Sequence, residues 1–204
     1  MALFLIRHGE TASNAARIVQ TPETPLSERG IEQATRLADR LAGLGVAAIL
    51  SSDLPRARMT SERIAAATGA GIELDANLQE RNFGEFRGIP YAELVVELFD
   101  PALEPPGGES VSDFQGRVAR VWPTIANRAA RTAGNLAVVT HGLVCHALVL
   151  RHLRLAPGVA APPFWGNASL TIAESREPWS VTTLNCTAHL APAPIRGGGS
   201  GSRV

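Results

Sequence analysis

The 204-residue chain contains no lysine; all 19 of its basic side chains are arginine. A Schiff-base enzyme and a Walker-type phosphate loop both need a lysine amine, so both are excluded. What remains for holding an anion is the planar, permanently charged guanidinium. Cysteine is scarce too. Cys145 and Cys186 make neither a disulfide framework nor a Cys-x-x-Cys pair, which removes zinc-ribbon and dithiol chemistry and fits a reducing, cytoplasmic setting. The chain also lacks the apolar run of a signal peptide or of a bilayer-spanning helix. Its net charge is zero, so no broad surface for nucleic acid or anionic membrane is expected. The serines have no Gly-x-Ser-x-Gly elbow, and Gly69-x-Gly71 has no third glycine for a dinucleotide loop. Any anion site must be local and built from arginine.

What is present reads as alternating strands and helices. Leu3 to Ile6, Val46 to Leu50 and Leu136 to Thr140 are short apolar runs typical of strands buried on both faces. Weaker strands are expected near Ile72 to Leu74, Ala168 to Ala173 and Val181 to Leu184. Ser27 is a candidate N-cap for a helix whose apolar positions run from Ile31 to Ala42, and Pro55 suits the first turn of a helix reaching Thr68. Further helices are expected at Pro90 to Phe99, at Ser112 to Thr132 with a kink or break at Pro123, and at Leu143 to Leu153. The expected fold class is α/β: a three-layer sandwich whose central sheet is mostly parallel, with an antiparallel edge strand left open, and with helices on both faces. One domain over 1–195 would carry a small lid at about 85–112, and the Gly/Ser-rich residues 196–204 read as a disordered tail.

Two strand ends match in kind: Arg7-His8-Gly9 follows the first strand and Thr140-His141-Gly142 follows the fourth. Alone, an Arg-His pair is a weak motif. If those strands are neighbours, both imidazoles meet at the carboxyl edge of the sheet, where such folds form their binding crevice. Arg56 stands near a helix start after Ser51-Ser52-Asp53, and Glu80 adds a loop carboxyl group. Gly9 is read as a place for a sharp turn or a close approach to ligand. Arg17, Arg81 and Arg87 read as surface or rim groups, Glu10 as a capping or salt-bridging residue, and His146, His152 and His189 as structural or solvated.

Taken in order, Arg7-His8-Gly9-Glu10-Thr11, Asn14, Pro25-Leu26-Ser27, Arg56-Ala57, Glu80, Gly108-Glu109-Ser110 and His141-Gly142 resemble the histidine phosphatase superfamily, also called phosphoglycerate mutase-like. The resemblance covers nearly the whole chain. It implies that His8 is a nucleophile that becomes phosphorylated, with Arg7, Arg56 and His141 holding phosphoryl oxygens. Asn14, Thr21 and Gly142 are the further phosphate contacts, and Glu80 is the general acid and base. Metal and cofactor are both implied to be absent. The implied partner is a small phosphomonoester, with no nucleic acid or membrane, and a homodimer is left open. Thr21, Glu23 and Arg87 depart from residues frequent in relatives, which bears on substrate contacts. A phosphatase is the favoured activity; a phosphoglycerate mutase and a phospho-ligand binder without turnover are the alternatives.

Overall fold

The computed structural model describes residues 1–191, so the tail expected at 196–204 lies outside the described residues. Among the described residues, six strands form one sheet: β1 (Ala2–Arg7), β2 (Val46–Ser51), β3 (Gly71–Leu74), β4 (Asn135–Thr140), β5 (Leu170–Glu174) and β6 (Val181–Cys186). Their order is β3-β2-β4-β1-β5-β6. The pairs β2–β3, β2–β4 and β1–β4 are parallel, while β1–β5 and β5–β6 are antiparallel. The antiparallel margin is therefore two strands wide. β5 and β6 are joined by a short connection, too short for the crossover that parallel pairing requires.

The described residues form five α-helices: α1 (Ala12–Ala16), α2 (Glu28–Leu41), α3 (Pro55–Thr68), α4 (Val111–Arg131) and α5 (Gly142–His152). The central strands alternate between two cores, as a period of two dictates. Phe4, Ile6, Ile49, Ala137 and Val139 pack against Leu37, Ala38 and Leu41 of α2 and Ala57 and Ile64 of α3. Leu3, Leu5, Leu50, Leu136 and Val138 meet Phe114, Val118, Val121 and Ile125 of α4 and Val144 and Leu148 of α5. Apolar side chains on both sheet faces explain why these strands read as unbroken hydrophobic runs. Cys145 is fully buried in the second core, as its apolar surroundings imply.

Two expected features differ. Pro123 does not break α4, which runs on for 21 residues. Its ring lies on the exposed side, while Val118, Val121 and Ile125 hold both flanks of the helix to the sheet. The helix expected at Pro90 to Phe99 is only a 3₁₀ turn over Tyr91–Glu93. The β-branched pair Val95-Val96 and the approach to Pro101 disfavour continuation. The chain opens out instead, leaving Val95 bare and seating Leu98 with Val19 and Phe83, flanked by Phe86, Tyr91 and Leu94. This third cluster joins the 84–110 segment to Val19 and Phe83 and touches the second core through Leu143 of α5.

Candidate active site

Because β4 sits between β1 and β2, the carboxyl ends of all three strands come together. Arg7 pairs with Thr140 in register, the His8 N–H donates to Thr140 O at 3.0 Å, and the Ser52 N–H donates to Val139 O at 2.9 Å. His8 and His141 are thereby fixed side by side with ring centroids 5.1 Å apart. Both are buried, at 1% and 0% exposure. Gly9 is also needed for packing. A Cβ there would lie 2.5 Å from Gly30 O, and one on Gly30 would lie 1.9 Å from Glu10 O, so the bare backbones of the His8 loop and α2 press together.

The His8 ring is oriented by its own chain. Nδ1 is 2.6 Å from Gly9 O, a group that can only accept, so Nδ1 carries the proton and Nε2 keeps its lone pair. Burial pushes the His8 pKa well below the ordinary imidazole range, with the Arg56 and Arg7 charges adding to the shift; the Gly9 hydrogen bond opposes it. His141 is held neutral the same way, first by burial and then by Arg56. Its Nε2 lies 2.9 Å from Ser52 Oγ. That hydroxyl accepts from Leu54 N–H and has its own proton to give; in the tautomer in which it donates to Nε2, the imidazole proton sits on Nδ1.

Around these rings lie buried donors without protein partners: Arg7 Nε, Arg56 Nε and His141 Nδ1. Buried polar groups are almost always paired, so three such nitrogens in one crevice describe a receptor for an anion. The guanidiniums are anchored by their other edges. Arg7 Nη1 donates to Trp165 O, and Arg56 Nη1 donates to Thr21 O at 3.1 Å. Burial lowers the Arg56 pKa to about 10, which leaves it charged near neutrality. Glu80 supplies the one acid. Its Oε1 accepts from Arg81 N–H and its Oε2 from Leu143 N–H at the start of α5, both at 3.1 Å. Burial raises its pKa, although those two N–H groups, Arg56 and Arg7 all pull the other way. A Cβ on Gly142 would sit 3.6 Å from Arg7 Nε and 3.8 Å from Glu80 Oε2, so this bare Cα lines the space between guanidinium and acid.

The remaining expected contacts are placed less directly. Asn14 spends its carboxamide oxygen on Thr11 N–H in a capping box and on Asn167 Nδ2, so only its NH₂ group can meet an anion. Thr21 turns its hydroxyl to Thr24 and reaches the site through the carbonyl that holds Arg56. Arg81 is corrected outright: it is 5% exposed, not a surface group, and donates to Leu103 O and Glu109 O. A guanidinium that can reach two carbonyls inside the 84–110 segment loses little by burial. Glu10 does pair with Arg29 and accepts from Ser27, and Arg17 is exposed over the Tyr91 ring. His152 stacks on Trp122, and Arg40 meets His189 Nδ1, so both stand away from the crevice. Sequence reasoning missed Asn167, which donates to His8 O and Asn14 Oδ1, and the acceptor role of Trp165 O. Nothing local in the sequence marks either. Among the described residues, no three His, Cys, Asp or Glu side chains converge as a metal-ligand set, and no helix is long and apolar enough to cross a membrane.

Known proteins resemble this chain in sequence and fold. The family model of the histidine phosphatase superfamily (branch 1) matches residues 3–187. A curated relative from Shigella boydii, named "Probable phosphoglycerate mutase GpmB", is 33% identical over 95% of this chain and 97% of its own length. A mycobacterial glucosyl-3-phosphoglycerate phosphatase solved with inorganic phosphate is 28% identical, with a TM-score of 0.74 over 93% of this chain and 99% of its own. Bacillus stearothermophilus YhfR superposes with a TM-score of 0.78 at 27% identity, over 93% and 99% of the two chains. The paired strand-end histidines therefore stand in a chain that belongs to the histidine phosphatase superfamily, branch 1.

Proposed function

We propose that this chain hydrolyses a small phosphomonoester, without metal, through a phosphohistidine on His8. The observation that carries the reading is the His8 Nδ1 bond to Gly9 O, which leaves Nε2 as a free lone pair amid three unpartnered buried donors. Nε2 attacks phosphorus and the bond to the leaving oxygen breaks, with Glu80 donating its proton to that oxygen. Glu80, now a carboxylate, takes a proton from water as the water oxygen attacks phosphorus. The P–N bond then breaks and its electrons return to Nε2. Arg7, Arg56 and His141 Nδ1 carry the charge on the equatorial oxygens, the main task in phosphoryl transfer. Asn14 NH₂ and the Gly142 backbone complete the proposed phosphate contacts. The test is rapid quench on para-nitrophenyl phosphate with chelator present. An acid-labile phosphoryl adduct on His8 that turns over to free phosphate is expected; turnover without it rejects the reading.

Phosphoglycerate mutase is the second reading, favoured by the name of the Shigella relative. A mutase must keep its product while phosphate returns from His8 to a second hydroxyl. The stretch between Gly88 and Asp113 is short for enclosing such an exchange, which favours hydrolysis. Product analysis on phosphoglycerate separates them: isomerisation with little free phosphate would establish the mutase.

A further inference from the structure

Glu80 is not held by the strand ends that hold the histidines. It belongs to a loop after a 3₁₀ turn (Ala76–Leu78), and that loop is gripped from α4 by Arg117. A guanidinium has five N–H donors. All five of Arg117 are used. Nη1 donates to Asn77 O and to Gln79 O, both at 2.8 Å, and Nη2 to Glu80 O at 3.3 Å. Nε and Nη2 form a fork on Glu109, at 2.7 and 2.8 Å. Glu109 Oε2 also accepts from Asn82 N–H at 2.9 Å, and Glu109 O from Arg81 Nε at 3.0 Å. Backbone groups from Asn77 to Asn82 are thus tied to one ion pair whose side chains are only 13% and 21% exposed. The grip spans both sides of Glu80. Its carboxylate meanwhile reaches the other way, to Leu143 N–H of α5.

We propose that Arg117, braced by Glu109, is the positioning residue that sets the Glu80 carboxyl group against the leaving oxygen. This rests on the reading of Glu80 as general acid. Such an acid works only within hydrogen-bond reach of the oxygen it protonates. A loop freed by one ångström costs about 100-fold in a step that depends on the acid. The cost should fall where protonation matters. An alkyl phosphomonoester expels a basic alkoxide and needs the acid fully, whereas para-nitrophenolate leaves without it.

The test compares glycerol phosphate with para-nitrophenyl phosphate across wild type, Arg117→Met, Glu109→Gln and Glu80→Gln. Arg117→Met keeps the stem and removes every donor. It should lose about 100-fold in kcat/KM on glycerol phosphate, only a few-fold on para-nitrophenyl phosphate, and leave KM near wild type. The alkaline limb of its pH–rate profile should flatten as it does in Glu80→Gln. Glu109→Gln keeps the shape but weakens the brace, and should move the same ratio in the same direction by less. If Arg117→Met does not fold, Glu109→Gln carries the test. Should the variants lose both substrates equally, in step with lowered Tm, while Glu80→Gln keeps its leaving-group selectivity, the positioning role is wrong and the acid stands. Should Glu80→Gln itself show no such selectivity, the acid assignment falls and the positioning role with it.

Discussion

The two walls of the crevice are made differently. The histidine wall is the carboxyl edge of a sheet: His8 and His141 each follow a central strand, the carbonyls of Thr140 and Gly9 accept from His8, and that of Val139 accepts from Ser52 beside His141. The acid wall is loop, a run of 3₁₀ turns and glycines strapped to α4 by one guanidinium. A nucleophile must meet phosphorus in line every time, and a sheet edge is the stiffest place to mount it. An acid must meet leaving groups of different shapes, which a loop can accommodate. The contrast predicts that damage to the first wall removes the reaction, whereas damage to the second makes it selective.

His8→Ala tests the first wall most severely. With no lone pair to form the intermediate, turnover should fall about 10⁴-fold or more for every substrate, with no acid-labile phosphoryl adduct in rapid quench. Equal loss for good and poor leaving groups would set this wall apart from the other; residual activity near wild type would erase the distinction.

Glu80→Gln tests the second. On an alkyl phosphomonoester the loss should be about 10²- to 10⁴-fold. The pH dependence sharpens the point. On the proposed mechanism His8 must be neutral to attack, and its lowered pKa puts the acid limb of kcat/KM well below the ordinary imidazole value. Glu80 must be protonated to donate, and its raised pKa puts the alkaline limb above the ordinary carboxyl value. Activity therefore rises as pH climbs through the first and falls as it climbs through the second, giving a bell-shaped profile. Glu80→Gln should abolish the falling limb and spare the rising one. A profile in which both limbs survive would assign the falling limb to another group.

The same contrast explains what the sequence made legible. The histidine wall could be read because an apolar run followed by Arg-His-Gly or Thr-His-Gly states both the strand and what stands at its end; that β1 and β4 are neighbours is a matter of strand order, which the sequence leaves open and the sheet settles. The acid wall could not. Glu80 stood out as a loop carboxyl group within a wider resemblance, yet Arg81 reads as a rim residue although it is buried, because its acceptors are main-chain carbonyls of Leu103 and Glu109 with no sequence signature. Arg117 is one more arginine on a helix face until the carbonyls of Asn77, Gln79 and Glu80 are seen in front of it. A helix is likewise expected at Pro90 to Phe99, where tertiary contact of Leu98 with Phe83 wins instead. Asn167 acts across more than 150 residues of chain, a distance no local pattern encodes.

Stability should divide along the same line. Leu136 is fully buried between β1, β2 and the helices α4 and α5, so Leu136→Ala should cost about 2–5 kcal/mol in equilibrium unfolding. Leu98 is nearly as buried, at 6% exposure, but its cluster has only Val19 and Phe83 as fellow buried members. Opening that cluster exposes the 84–110 segment without touching the sheet, so Leu98→Ala should register as local opening rather than global unfolding. The expected shift in the global transition is about 1 kcal/mol or less, accompanied by faster amide exchange and proteolysis confined to the 84–110 segment. If Leu98→Ala instead lowers the global transition as much as Leu136→Ala does, the two walls unfold as one unit. The acid would then be mounted as rigidly as the nucleophile, and leaving-group selectivity would have to come from the shape of the crevice alone.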